Sequence, residues 1–159
     1  FFQLQLTFRL YLVPLVGLFG VVANMLNIRV FSHSKMRCQP VNLFFLALSL
    51  SDLFVLVTSS VVFTLPMLAE ELDSILLHEY TQYLVVFFYP LALSSLTCSV
   101  SLTILVSVHR YLGVCHPFLI RRISNMSAVR AIIATAVVFA FAFNTSRWFE
   151  ITTYMCFST

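Results

Sequence analysis

The chain has 159 residues and a net charge of +3; 60% of its residues are hydrophobic and only 9% are charged. Soluble domains are about 45–50% apolar and about 25% charged, so a soluble fold could not cover this much apolar surface. The composition indicates an integral membrane protein, and the basic residues are too scattered to indicate nucleic acid as a partner.

The first two apolar segments contain a few polar residues that a membrane helix must accommodate. Residues 10–28 are uncharged, and as a helix they would span about 28 Å, close to the hydrocarbon thickness. Residues 41–68 contain one charge, Asp52. A carboxylate at mid-membrane costs about 2.5–3.5 kcal/mol, which favours a cation or proton site over a purely structural role. Ser49 lies one turn before Asp52, and Asn24 of the first segment also has an amide to satisfy.

The third segment, residues 80–108, is uncharged and rich in Ser and Thr. Small residues let membrane helices approach closely, so most of them predict a central helix with several neighbours. We single out Ser99 as a hydrogen-bond partner for Asp52. The segment ends with His109, Arg110 and Tyr111, which by themselves are typical of an anchor at the cytoplasmic border.

The fourth segment, residues 131–146, completes an all-α fold. All four runs are too long for strands and lack the period of two that marks a membrane barrel. The sequence therefore predicts one domain over residues 1–159, a transmembrane helix bundle with helices at about 8–31, 41–68, 80–112 and 128–146.

Charge in the connections predicts the orientation. Seven of the nine basic residues fall in the first and third connections, whereas the second contains four acidic residues and no Lys or Arg. The positive-inside rule then places both basic connections in the cytoplasm and both ends of the chain outside. The absence of an initial Met predicts that the chain is a fragment.

Enzymatic chemistry is not indicated. The four Cys and four His are scattered over different depths of the predicted bundle, without metal-ligand spacing or a catalytic motif. We therefore predict that the chain is not an enzyme.

Four motifs resemble those of the rhodopsin-like (class A) G-protein-coupled receptors. Residues 20–24 read GVVAN, residues 46–53 read LALSLSDL after Asn42, and residues 109–111 read HRY before the sequence VCHPF at 114–118. A narrower similarity, to invertebrate FMRFamide-type neuropeptide receptors, comes from YPL at 89–91 and FNTSRWFE at 143–150. The resemblance covers nearly the whole chain but only four of the expected seven helices.

The resemblance implies a receptor of the plasma membrane that is activated by an amidated neuropeptide and signals to a heterotrimeric G protein. Its G-protein-facing residues would be His109, Arg110, Tyr111, Pro117 and Phe118. Asp52 and Ser99 match positions that bind a sodium ion in that family, and no other cofactor is implied. Asn24 and Ser49 would be structural polar residues of the bundle.

The ligand would bind at the outer face. Acidic residues there would steer a cationic peptide, and aromatic residues could stack on its Arg or Phe side chains. The candidate ligand-binding residues are Glu79, Tyr83, Phe88, Tyr89, Trp148 and Glu150.

The chain departs from the family pattern at two positions. His109 replaces the usual acidic residue before the arginine, and Val85 replaces the usual outer Cys, which leaves Cys156 without its expected partner. A truncated, non-signalling receptor-like product therefore remains an alternative. A channel or transporter subunit is a second alternative, but neither a second intramembrane charge nor repeated halves are visible.

Overall fold

The computed structural model describes residues 11–72 and 75–157, without the side chains of residues 75, 122–123 and 151–157. Within these ranges every regular element is helical. The helices are α1 (Val13–Ser32), α2 (Ser34–Arg37), α3 (Pro40–Ser59), α4 (Leu65–Glu71), α5 (Ile75–Cys115), α6 (Pro117–Ile123) and α7 (Met126–Phe157). A π-helical turn, Ser60–Thr64, joins α3 to α4.

Four helical spans of the described residues are long and apolar enough to cross a membrane: Val13–Ser32, Pro40–Glu71, Leu76–Cys115 and Met126–Glu150. They coincide with the four segments predicted from the sequence, and the all-α bundle is confirmed. The second span contains the π turn just before Pro66, as membrane helices allow where proline removes an amide donor.

The longest extensions beyond the predicted helix ends are those of α5 and α7. α5 starts at Ile75 rather than near residue 80 and ends at Cys115 rather than 112, since Pro117 disfavours helical geometry only at His116. α7 continues to Phe157 instead of ending near 146, because residues 147–157 contain neither Gly nor Pro. The predicted start of the first helix, at residue 8, lies outside the described residues.

α3 and α5 together form the centre of the bundle. α1 packs against α3, α3 against α5, and α5 against α7, as the small polar residues of the third segment predict. One apolar cluster contains Cys98, Leu102, Ala136 and Ala140. A second cluster, which contains Phe44, Val106 and Val129, joins α3, α5 and α7. These clusters fix which faces of α3 and α5 meet, and thereby position the polar residues discussed next.

Candidate functional site

Asp52 of α3 and Ser99 of α5 form the polar centre of the bundle. The Ser99 hydroxyl donates a hydrogen bond to Asp52 Oδ1 across the helix interface, and both side chains are half-buried. Ser49, one turn earlier on α3, is buried. Asn24 is satisfied within α1, where its Nδ2 donates to the Gly20 carbonyl oxygen at 3.0 Å. The structure therefore brings Ser99 to Asp52.

The oxygen atoms of this pair suit a hard monovalent cation. A carboxylate and a hydroxyl are the ligand types that such ions prefer. Asp52 would supply one or two carboxylate oxygens, and Ser99 would supply its hydroxyl oxygen. The described residues include no group of three His, Cys, Asp or Glu side chains that could hold a metal ion. A sodium ion here would neutralise the carboxylate in the bundle interior, and the assignment of sodium stays a prediction.

Two further hydrogen bonds tie α5 to its neighbours. Ser51 donates to the carbonyl oxygen of Ser95 at 3.3 Å. Asn144 of α7 is 5% exposed, and its Nδ2 lies 3.0 Å from Thr97 Oγ1 and 2.8 Å from the Ala140 carbonyl oxygen. A buried amide that is satisfied in this way stabilises one packing of the two helices.

At the end of α5 nearer Cys115, which the sequence predicts to be the inner end, His109 contacts both a neighbouring helix and a connection. Its ring lies 5.3 Å from the ring of Phe44 on α3. Its Nε2 lies 3.0 Å from the Oγ of Ser124, in the short connection between α6 and α7. His109 thus joins three parts of the inner face.

Arg110 is held by an aromatic ring. Its guanidinium carbon lies 5.4 Å from the centroid of the Phe45 ring on α3. The Phe45 ring in turn stacks with Phe31 of α1 at 5.5 Å. An arginine within about 6 Å of a ring centroid is attracted to the ring's negative face. Neither of the two basic connections, residues 29–40 and 109–130, contains Asp or Glu, so neither offers Arg110 a carboxylate.

The other inner residues singled out from the sequence do not join this cluster. Tyr111 is exposed, and Phe118 is 88% exposed on α6, which Pro117 begins. Sequence reasoning missed Phe31, Phe44, Phe45 and Ser124, because in a chain with seventeen Phe nothing in the spacing marks which rings meet a cation.

At the opposite end of the bundle, which the sequence predicts to be the outer end, Phe87 joins two of the predicted ligand-binding residues. Its ring packs edge-on against Phe88 at 5.5 Å and against Trp148 of α7 at 5.7 Å. Phe87 also follows Glu79 and Tyr83 at intervals of four residues on α5, so the three lie on one face of the helix. Phe87 is therefore central to this cluster.

The remaining outer residues are accessible. Glu79, Tyr83 and Tyr89 are exposed. Glu150 pairs with Arg147 at 2.6 Å on the surface of α7, an arrangement that contributes about 0–1 kcal/mol. This pair neutralises one of the carboxylates expected to attract a cationic ligand. Asp73, another acidic residue of the second connection, lies outside the described residues.

The arrangement of four apolar helices, with a carboxylate within the second span and an Arg near the end of the third, agrees with a comparison to known families. The sequence profile of seven-transmembrane receptors of the rhodopsin family matches residues 23–155. The chain belongs to the rhodopsin family of seven-transmembrane receptors. It is therefore part of a multi-pass membrane protein, and the prediction of a receptor segment rather than an enzyme agrees with this membership.

Two curated relatives of this rhodopsin-family chain are similar over most of its length. An FMRFamide peptide receptor of Caenorhabditis elegans is 33% identical over 138 residues, which are 87% of this chain and 31% of the relative. An FMRFamide receptor of Drosophila melanogaster is 25% identical over 146 residues, 89% of this chain and 26% of the relative. The chain thus spans about a third to a quarter of these relatives, and the predicted resemblance to FMRFamide receptors is confirmed.

Proposed function

We propose that this chain forms the first four membrane helices of a plasma-membrane receptor that binds an amidated, FMRFamide-like neuropeptide outside and activates a heterotrimeric G protein inside. The observation that carries the proposal is the similarity to two FMRFamide receptors over 87% and 89% of the chain. The physical arrangement of the two ends supports it.

The outer end offers the two features that a cationic, aromatic peptide would need. Glu70, Glu71 and Glu79 are exposed on the connection and helix ends there, and negative charge attracts a positively charged ligand. The Phe87 and Trp148 rings pack edge to face, with their centroids 5.7 Å apart. An Arg of the peptide would bind such a ring by a cation–π contact, and a Phe would stack against it.

The inner end offers a basic face. Residues 29–40 and 109–130 contain seven Lys and Arg and no acidic residue, which supports a cytoplasmic location and an extracellular N-terminus. His109 and Arg110 would face the G protein together with Tyr111, Pro117 and Phe118. Arg110 is exposed, so leaving the Phe45 ring to bind a partner would expose little buried charge.

α5 connects the two ends mechanically. Phe88 and Arg110 lie on the same helix, about 33 Å apart at 1.5 Å per residue. Between them the Asp52–Ser99 hydrogen bond holds α5 against α3. Peptide binding would favour one of two packings of α5, and the G protein would bind the inner end in that packing. A sodium ion at Asp52 would favour the packing in which α3 and α5 are close.

The test is expression from the complete reading frame, followed by a panel of amidated peptides and measurement of nucleotide exchange on G proteins. We expect activation by peptides that end in Arg-Phe-amide. Replacing Trp148 by Leu should weaken the response about two- to fivefold, as expected for one exposed cation–π contact. The same replacement at Phe139 is the matched control. Phe139 is an exposed aromatic residue on the same helix, and among the described rings it stacks only with Phe143.

Sidedness is tested separately. An epitope tag between residues 70 and 79 should react with antibody on intact cells, whereas a tag that needs permeabilised cells would contradict the proposal. Residues 1–159 expressed alone should not signal, because the ligand pocket and the G-protein contact both need more of the bundle. A robust ligand-evoked response from that segment would contradict the expectation.

A further inference from the structure

Ser124 lies in the short non-helical break between α6 and α7. Residues 124 and 125 belong to neither helix, and the Ser124 backbone has φ −79° and ψ 65°. Its side chain is half-buried, and its Oγ lies 3.0 Å from His109 Nε2. The hydroxyl is therefore next to the residue that precedes Arg110.

The residues before Ser124 are basic. Arg121 and Arg122 stand three and two positions ahead of it, and no other Ser or Thr in the sequence has basic residues at both of these positions. Protein kinases select their substrates through complementary charge near the acceptor hydroxyl. A pair of arginines at this spacing suits a kinase with an acidic substrate groove, since each guanidinium can pair with a carboxylate.

The local fold permits such a kinase to reach the segment. α6 has only seven residues, Pro117–Ile123, and an isolated helix shorter than about 12 residues is marginal in water. The backbone of Ser124, with ψ at 65°, already departs from helical geometry. Unwinding α6 to present Arg121 through Ser124 would therefore disrupt one short helix and the His109–Ser124 hydrogen bond.

We propose that Ser124 is a phosphorylation site for a basic-residue-directed protein kinase, and that the phosphate weakens G-protein activation. The proposal rests on the proposed function only for its cytoplasmic location and its signalling effect. In the reaction Ser124 Oγ forms a bond to the γ-phosphorus of MgATP, the bond from that phosphorus to ADP breaks, and the hydroxyl proton passes to a base of the kinase.

The charge of the product explains the effect. A phosphoserine carries about −1.5 to −2 charges and three strong acceptor oxygens. Both inner connections lack carboxylates, and the connection that contains Ser124 also contains Arg110, Arg121, Arg122 and Arg130. The phosphate would pair with one or more of these arginines and with His109. Such pairing competes with the use of Arg110 by a G protein.

The test uses the protein from the complete reading frame, purified in detergent and incubated with MgATP and the catalytic subunit of cyclic-AMP-dependent kinase. Mass spectrometry should locate phosphate at Ser124. The double substitution Arg121→Gln and Arg122→Gln keeps the acceptor hydroxyl, and should slow the initial rate about tenfold or more, the equivalent of one charge-assisted contact. Ser124→Thr should still be phosphorylated.

Ser127 is the matched control. It lies in the same connection, but Ser124 and Asn125 precede it in place of the arginines, so Ser127→Ala should leave phosphate incorporation unchanged. Phosphate on Ser127 but not Ser124, or a rate that does not depend on the arginines, would overturn the inference.

Signalling and location are measured on the same protein. Phosphorylated receptor should show reduced peptide-evoked nucleotide exchange, and Ser124→Ala receptor treated with kinase should not. A receptor that responds to peptide but shows no phosphate at Ser124 would overturn the inference alone. A tag beside Ser124 that antibody reaches on intact cells would instead overturn the sidedness on which the proposed function depends.

Discussion

Replacing Phe45 by Leu removes the ring that holds Arg110 while keeping an apolar side chain in its place. An exposed cation–π contact contributes about 0.5–1 kcal/mol, and Arg110 is exposed, with its guanidinium carbon 5.4 Å from the Phe45 ring centroid. The substitution also ends the stacking with Phe31 at 5.5 Å, which contributes about 0.5–1.5 kcal/mol. The total loss is about 1–2.5 kcal/mol.

The two contributions separate in two assays. Freeing Arg110 shifts the population toward states in which it can meet a G protein, so basal nucleotide exchange should rise about two- to fivefold for a loss of about 0.5–1 kcal/mol. The loss of both contacts should lower the thermal midpoint of the detergent-solubilised receptor. Phe45→Tyr keeps the ring face and should change neither quantity much.

Phe54, on the same helix, provides the control. It is 63% exposed, and Phe54→Leu removes the same ring from a position that faces away from the bundle. The reasoning would be refuted if Phe45→Leu and Phe54→Leu had equal effects, or if Phe45→Tyr raised basal exchange as much as Phe45→Leu.

Three further outcomes are expected. Asp52→Asn should abolish sodium-dependent thermal stabilisation, which in the parent receptor should reach about 1.4 kcal/mol at ten times the dissociation constant; equal sodium shifts in both proteins would contradict the site. A Cβ added at Gly20 would lie 2.9 Å from Leu56 Cδ1, whereas a Cβ added at Gly17 would have no neighbouring atom within 4 Å. Gly17→Ala should therefore stabilise the receptor by about 0.5–1 kcal/mol and Gly20→Ala by less, as thermal melts would measure. Leu102 is 1% exposed in the core, so Leu102→Ala should lower the free energy of unfolding by about 2–5 kcal/mol. An unchanged thermal midpoint would show that Leu102 is not packed as described.

The membrane helices could be predicted because lipid imposes a simple rule on sequence. Residues 10–28 and 80–108 are uncharged over a length that spans the hydrocarbon. The helix ends were less predictable, because beyond the hydrocarbon nothing requires a helix to stop. Residues 147–157 show this: they include Arg147 and Glu150, yet α7 continues through them.

The pairing of Ser99 with Asp52 could be expected, because an intramembrane carboxylate needs a polar partner and Ser99 lies at a similar depth on the next long helix. The aromatic partner of Arg110 could not be predicted, because it depends on how α3 is rotated about its axis. That rotation determines whether Phe44, Phe45 or neither faces α5. Asn144 illustrates the same limit, since its sequence context suggests a helix end and only packing places it against Thr97. The contact of His109 with Ser124 depends on the path of α6, which sequence periodicity does not define.

The length of α5 has a consequence for how the position of its two ends can be controlled. Its 41 residues correspond to about 60 Å, twice the hydrocarbon thickness, so its ends project into water on both sides. A tilt of about 5° about its centre would move each tip by about 2.6 Å. Binders directed at the water-exposed turns near Leu76 and His78 could therefore tilt α5 and move its opposite end, without entering the membrane.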